Sequence, residues 1–167
     1  MIKINYAPKN TRKINEAGQQ LLKLFEECKL HPYLDKVGIP TIGWGNTFYE
    51  DGTTVKMYDP PITQEKADDV FLKIVAGFER IVYENVKALI NQNQFNALVS
   101  FCYNVGMNDF CKSTLLKMVN KSPNDFHIHE QFMCWIYGWS PEKKRKVIIK
   151  GLINRREMES KIYFIKS

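Results

Sequence analysis

The sequence predicts an α+β chain: a small antiparallel sheet in its N-terminal third and a larger helical lobe after it. Three observations carry this. Between Asn15 and Cys28 apolar residues return every three or four positions. Residues 33–58 lose that period and are broken by Gly38, Gly43, Gly45 and Gly52. After Pro60-Pro61 the helical period returns and persists almost to the end. A length of 167 residues suits a single domain, or one domain with a cleft between two lobes.

In order, residues 1–12 read as a polar arm in which Ile2, Ile4 and Tyr6 alternate briefly. Asn15 is placed to cap a helix running to about Cys28, buried along Ala17, Leu21, Leu22, Leu24 and Phe25, and stopped by Pro32. Residues 33–58 form the β-rich lobe, with Asp51-Gly52 as its clearest turn. Thr63 caps a helix over 63–83 with the stripe Ala67, Val70, Phe71, Ile74, Val75 and Phe78; its length suits a bridge between lobes. Residues 84–167 form the helical lobe. There Asn91 and Gln94 make a capping box for a helix ending near Gly106, and Ser113 or Thr114 opens a short helix. Two more run from about Asn124 to Tyr137 and from Gly151 to Phe164, for about seven helices in all.

Composition narrows the function. Apolar residues make up 44% of the chain, enough for a packed core, and no run approaches the roughly 18–20 apolar residues of a membrane span. The N-terminus has no apolar signal-peptide core, so delivery from the host cytoplasm to the periplasm or wall is expected to depend on a companion, such as a membrane pore, or on a secretion apparatus. Cys28, Cys102, Cys111 and Cys134 make no C-x-x-C and read as buried thiols. The net charge of +6 resides in residues 142–167, with nine Lys or Arg against three acids. Such a basic tail favours an anionic polymer, whether nucleic acid, anionic lipid or cell wall.

The chemistry points to Glu26, Asp35 and Thr41. Glycosidic cleavage needs a proton donor and a second carboxylate that activates water or attacks the sugar. Glu26 lies at the end of an apolar helix, where partial burial favours the protonated form. Asp35 lies in a polar turn beside Lys36, which favours a carboxylate. Thr41, on the following strand, offers a hydroxyl to position water. A solvated acidic pair of no catalytic consequence has the same spacing. Phosphate loops, dinucleotide fingerprints and Ser/His/Asp signatures are absent.

The segment Phe25-Glu26, Tyr33-Leu34-Asp35 and Gly38-Ile39-Pro40-Thr41-Ile42-Gly43-Trp44-Gly45 resembles the phage-type lysozymes, or endolysins. The likeness continues through residues 94–106, 113–116 and 151–160, and so spans about residues 14–164. It implies a lysozyme-like fold and hydrolysis of the β-1,4 bond between N-acetylmuramic acid and N-acetylglucosamine in peptidoglycan. It further implies Glu26 as general acid, Asp35 as second carboxylate, Thr41 as holder of the attacking water, and inversion at the anomeric carbon. Arg155 corresponds to the arginine that reaches back to the acid. Tyr33, Gly43, Asn46 and Asn104, within or beside the matching segments, are candidate substrate-binding residues. The resemblance implies no metal and no organic cofactor; a monomer that meets peptidoglycan is expected, with a companion holin-like membrane pore as its route out.

The chain departs from its relatives in carrying Glu27 where glycine is common, Asn46 where histidine is common, and a lengthy Thr47–Thr63 connection, which bears on subsite preference. The alternatives are a glycan-binding module that kept the fold, a lytic transglycosylase, and more distantly a nucleic-acid binder. Retention of Glu26, Asp35 and Thr41 together favours hydrolysis. His127 and His129 are two apart and face away from each other on a helix, unlike a metal pair at i and i+4. Trp135, Tyr137 and Trp139 are expected to pack the last helices and expose only an edge. Lys143-Lys144-Arg145-Lys146 reads as a solvated face or a wall-binding patch, and Arg156 with Glu159 as a surface ion pair.

Overall fold

The computed structural model describes residues 13–35 and 37–166; the proposed arm over 1–12 lies outside them. The chain forms two compact units, Leu22–Gly77 and the combination of Met1–Leu21 with Phe78–Ser167. It crosses between them inside helix α1 (Glu16–Leu24) and again inside helix α2 (Gln64–Asn85).

In the Leu22–Gly77 unit, α1 closes with i to i−3 bonds from Phe25 N to Leu22 O (3.2 Å) and from Glu26 N to Lys23 O (3.4 Å). This tightened last turn ends the helix at Leu24, four residues before the expected Cys28. Pro32, expected as the helix stop, lies inside strand β1 (Lys29–Leu34). β1 pairs antiparallel with β2 (Pro40–Gly43), with Tyr33 opposite Thr41 and Leu34 opposite Pro40, and the register shifts between Lys29 and Tyr33. A proline in a two-stranded ribbon beside such an irregularity removes no bond from a central ladder. Isolated bridges at Ile42–Asn46 and Phe48–Thr54 continue the β-rich segment, the second bracketing Asp51-Gly52.

The core beneath is Leu22, Ile42, Val55, Ala67, Phe71 and Val75, all buried, with the Trp44 ring 5.6 Å from that of Phe71. Trp44 Nε1 donates to Asp68 Oδ1 at 2.7 Å, Gln64 Nε2 donates to the same oxygen at 2.9 Å, and Lys23 Nζ pairs with Asp68 Oδ2 at 2.8 Å. Burial pushes the Asp68 carboxyl up, but these donors outweigh it and hold it below its ordinary value.

The other unit is built around α3 (Gln92–Val105), buried continuously from Gln94 to Cys102. A helix buried all round is a core helix, which its sequence FNALVSFC already suggests. The expected capping box is present: Gln94 N donates to Asn91 Oδ1 at 2.8 Å and Asn91 N to Gln94 Oε1 at 2.9 Å. Asn15 caps α1 as expected, accepting from Gly18 N at 3.2 Å, and Asn96 Nδ2 donates to the same Asn15 oxygen at 2.7 Å. A Cβ at residue 18 would come within 2.6 Å of Asn96 Oδ1, so α1 meets α3 at a glycine. Around α3 stand α4 (Met107–Lys112), α5 (Thr114–Lys121, capped by Ser113), α6 (Ile128–Met133) and α7 (Lys150–Tyr163). Phe101 meets Phe110, Phe132 and Trp135 edge-on, and Phe132 meets Tyr163.

Three further expectations are corrected. The helix placed over Asn124 to Tyr137 is only the six residues of α6. A second two-stranded sheet follows it, β3 (Tyr137–Ser140) with β4 (Arg145–Ile148). Alternation in YGWS and the β-branched run Val147-Ile148-Ile149 favour strands over a helix. Tyr137 and Trp139 are exposed rather than packed between helices; only Trp135 rests on the core. Of the four thiols, only Cys102 is buried; Cys28 is half-buried and Cys111 and Cys134 are exposed.

Candidate active site

Glu26 follows the tight last turn of α1 and is half-buried. The next residue, Glu27, turns to Lys29, with Oε2 3.2 Å from Nζ. Lys29 Nζ in turn stands 4.4 Å from the centre of the Tyr33 ring. Burial pushes the Tyr33 phenol up, so it stays a neutral hydrogen-bonding group. Glu27, Lys29, Tyr33, Leu34 and Asp35 line an open concavity of about 390 Å³ along β1.

Asp35 occupies the turn between β1 and β2, and its chain neighbours fix it. Asp35 Oδ1 accepts from Val37 N at 2.9 Å and from Ile39 N at 2.8 Å, while Asp35 N donates to Ile39 O at 3.0 Å. This is the local side-chain-to-backbone bonding that suits Asp to turns. It immobilises one carboxylate oxygen; among the described residues these turn bonds all fall on Oδ1. Two residues beyond that turn, Thr41 Oγ1 donates to Ile39 O at 2.9 Å. Thr41 is only 2% exposed, so its hydroxyl is held in one orientation, with its proton spent on the backbone and its lone pairs facing elsewhere. Asp35 and Thr41 thus share Ile39 as an anchor: one bonds its N–H, the other its carbonyl.

Gly43 and Asn46 form the next turn. Gly43 has φ +63°, a left-handed conformation that favours glycine. Ile42 and Asn46 exchange two backbone bonds of 2.9 Å across the turn. Asn46 is buried, with its amide beside Gly43. As placed, these two shape the loop that presents Trp44.

In the second unit, Arg155 and Asn104 belong to the seam of α3 and α7. Arg155 Nε donates to Glu159 Oε1 at 3.2 Å and Nη2 to Ser100 O at 3.4 Å. Ser100 Oγ donates to Glu159 Oε1 at 2.7 Å. Arg156 Nε lies 3.0 Å from Glu159 Oε2, Arg156 Nη2 donates to Asn104 Oδ1 at 2.6 Å, and the guanidinium covers the Phe101 ring at 5.0 Å. Arg156 and Glu159, expected as a surface pair, are both fully buried. Burial lowers Arg156 to about 10 despite Glu159, and burial raises Glu159 against the pull of both arginines. No group of metal-binding side chains forms among the described residues.

These elements have counterparts elsewhere. A family model for phage lysozyme matches residues 23–159. The endolysin of Acyrthosiphon pisum secondary endosymbiont phage 1 is 30% identical over 151 residues, covering 90% of this chain and 97% of the relative. The chain belongs to the phage-type lysozyme family. Among solved structures, the endolysin from Escherichia coli O157:H7 phage FAHEc1 matches with a TM-score of 0.85 and 36% identity, over 93% of this chain and 96% of that one. The muramidase domain of SpmX from Asticaccaulis excentricus matches at 0.77 and 29%, over 92% and 99%. This phage-type lysozyme is therefore a glycoside hydrolase with the lysozyme-like α+β fold.

Sequence reading brings Asp35, Thr41 and Tyr33 to one hairpin, and the structure places them there. It misses Asp68, Ser100 and Glu159 as organisers. Asp68 lies four residues after Gln64 and carries no local mark. Glu159 had a signal: Ser100 and Asn104 are polar residues in an otherwise apolar core helix, and such residues need buried partners.

Proposed function

We propose that the protein hydrolyses the β-1,4 bond between N-acetylmuramic acid and N-acetylglucosamine in peptidoglycan with inversion. The observation that carries the reading is the shared anchoring of Asp35 and Thr41 on Ile39. A water that attacks a sugar carbon must give its protons to acceptors so that its lone pair is free. Thr41 Oγ, its own proton committed to a carbonyl, is one acceptor, and Asp35 Oδ2 is the other. The water oxygen bonds to the anomeric carbon and its proton passes to Asp35. Glu26 gives its proton to the departing glycosidic oxygen. Arg155 is proposed as a supporting cation and Tyr33 as a wall of the sugar site, with Gly43, Asn46 and Asn104 kept as substrate contacts on the resemblance alone. On the same reading the enzyme acts as a monomer, without metal or cofactor, as one lysozyme-like domain, and reaches the wall from the host cytoplasm through a companion holin-like pore.

The test is product chemistry. Digested sacculi should release muropeptides with reducing ends, whereas 1,6-anhydro ends would mark a transglycosylase and intact glycan a binding module. NMR of the first product from a defined β-linked oligosaccharide should give the α anomer; initial β would overturn the inverting assignment. Glu26→Gln should keep the fold and wall binding but lose at least about 10²-fold in turnover.

A further inference from the structure

The β3–β4 hairpin takes no part in the reaction proposed above, yet it is the most exposed apolar ribbon in its unit. Residues directly opposite in an antiparallel pair share a face. Tyr137 stands opposite Ile148 and Trp139 opposite Lys146, so these four make one face, with Gly138, Ser140, Arg145 and Val147 on the other. Tyr137 is 53% exposed, Trp139 64% and Ile148 56%, whereas the Ile149 side chain packs on the other face, against Gly138. The turn joining the strands is entirely exposed and passes through Lys144 at φ +47°. From Pro141 to Lys150 there are five cations, Lys143, Lys144, Arg145, Lys146 and Lys150, against the single acid Glu142.

Two ligand classes compete for such a face. A sugar platform needs hydrogen-bonding amides or carboxylates beside its rings, and between Tyr137 and Ile149 the single such side chain is Glu142, in the turn beyond the paired strands. Here the neighbours of the rings are isoleucine and lysine. Trp and Tyr, with one apolar and one polar end, prefer the level of lipid headgroups; isoleucine partitions below it, and lysine reaches back to phosphate. Cations clustered at the tip complement an anionic leaflet, each being worth roughly fivefold in partition near the surface.

We infer that the β3–β4 hairpin is a membrane-surface docking ribbon, binding anionic phospholipid with the face formed by Tyr137, Trp139, Lys146 and Ile148. The ribbon lies flat, its aromatic rings at headgroup depth and its basic turn among the phosphates. Lipid docking of this kind requires no glycosidic chemistry, so it stands apart from the proposed reaction.

The experiment is co-sedimentation of the full chain with vesicles of phosphatidylglycerol and phosphatidylcholine, against phosphatidylcholine alone and against purified sacculi, followed by tryptophan emission. The anionic vesicles should bind at least about tenfold more tightly than the neutral ones, with a blue shift of emission, and 0.5 M salt should reverse both. Trp44 and Trp135 already pack against phenylalanines, so Trp139 is the ring free to report. Tyr137→Ser/Trp139→Ser and, separately, Lys143→Gln/Lys144→Gln/Lys146→Gln should each weaken vesicle binding about tenfold or more, with cleavage of short neutral oligosaccharides unchanged. Equal binding to both vesicle types, binding that survives either variant, or binding to sacculi alone would overturn the inference.

Discussion

Asp35 and Glu159 are both carboxylates fixed by hydrogen bonds, but the bonds come from opposite sources. Those of Asp35 come from N–H groups two and four residues along its own chain. Those of Glu159 come from Ser100, 59 residues away, and from Arg155 one turn earlier on α7, while Arg156 adds an ion pair at 3.0 Å. Local anchoring costs little and leaves Asp35 partly open to solvent. Long-range anchoring takes Glu159 wholly out of water, where its charge is tolerable only while both arginines remain. In the proposed reaction one region uses its charge for chemistry; the other uses it to hold two helices together. Substitution should separate the two roles.

The largest effect is expected at Glu159. Glu159→Ala leaves the fully buried Arg156 without this carboxylate, and breaking a buried pair from one side costs about 3–5 kcal/mol. Urea unfolding at neutral pH measures this. A loss below about 1 kcal/mol would mean that water replaces the carboxylate, and that the seam is not the anchor described here.

Asp35→Asn should invert that result. Asparagine keeps an Oδ1 acceptor for Val37 and Ile39, so the turn survives and the unfolding midpoint should stay within a few degrees. Removing the proton acceptor should lower turnover by roughly 10²-fold or more. If stability falls instead and turnover on the remaining folded fraction is normal, Asp35 belongs with Glu159 as a structural residue.

The two regions also differ in how legible they are. Motif and turn chemistry are local, so the Asp35 turn and the Thr41 strand could be read directly, each leaving a signature within a few positions. The extents of α1 and of the helix before Tyr137 were misjudged because periodicity over one or two turns does not distinguish a helix from a strand run. Pro32 misled because proline is tolerated in a short, irregular ribbon. Arg156 and Glu159, spaced i,i+3 on a helix of mostly polar sequence, look like a solvent pair. Only the polar positions Ser100 and Asn104 on the partner helix reveal that they are buried, and that is a tertiary fact. The exposure of Tyr137 and Trp139 is tertiary too, since aromatic content by itself favours the core.

The smallest expected effect lies at Asp68, between the two extremes: a carboxylate with donors from three side chains, yet with a third of its side chain still exposed. Its carboxyl is depressed below the ordinary 3.8, so it binds protons less readily when folded than when unfolded. The unfolded chain therefore takes up the proton first as pH falls. The stabilisation should be complete above about pH 5, shrink as pH falls through 3.8, and vanish once folded Asp68 is also protonated. For a pair this exposed the amount is at most about 1 kcal/mol. Comparing the chain with Asp68→Asn cancels the titration of other carboxylates, leaving the Lys23 partnership as the main difference. The gap in unfolding free energy should be steady from pH 7 to about 5 and close on further acidification. A gap that stays constant to pH 2 would show that the Trp44 and Gln64 bonds, which asparagine can still accept, carry the whole contribution and that the charge on Asp68 carries none.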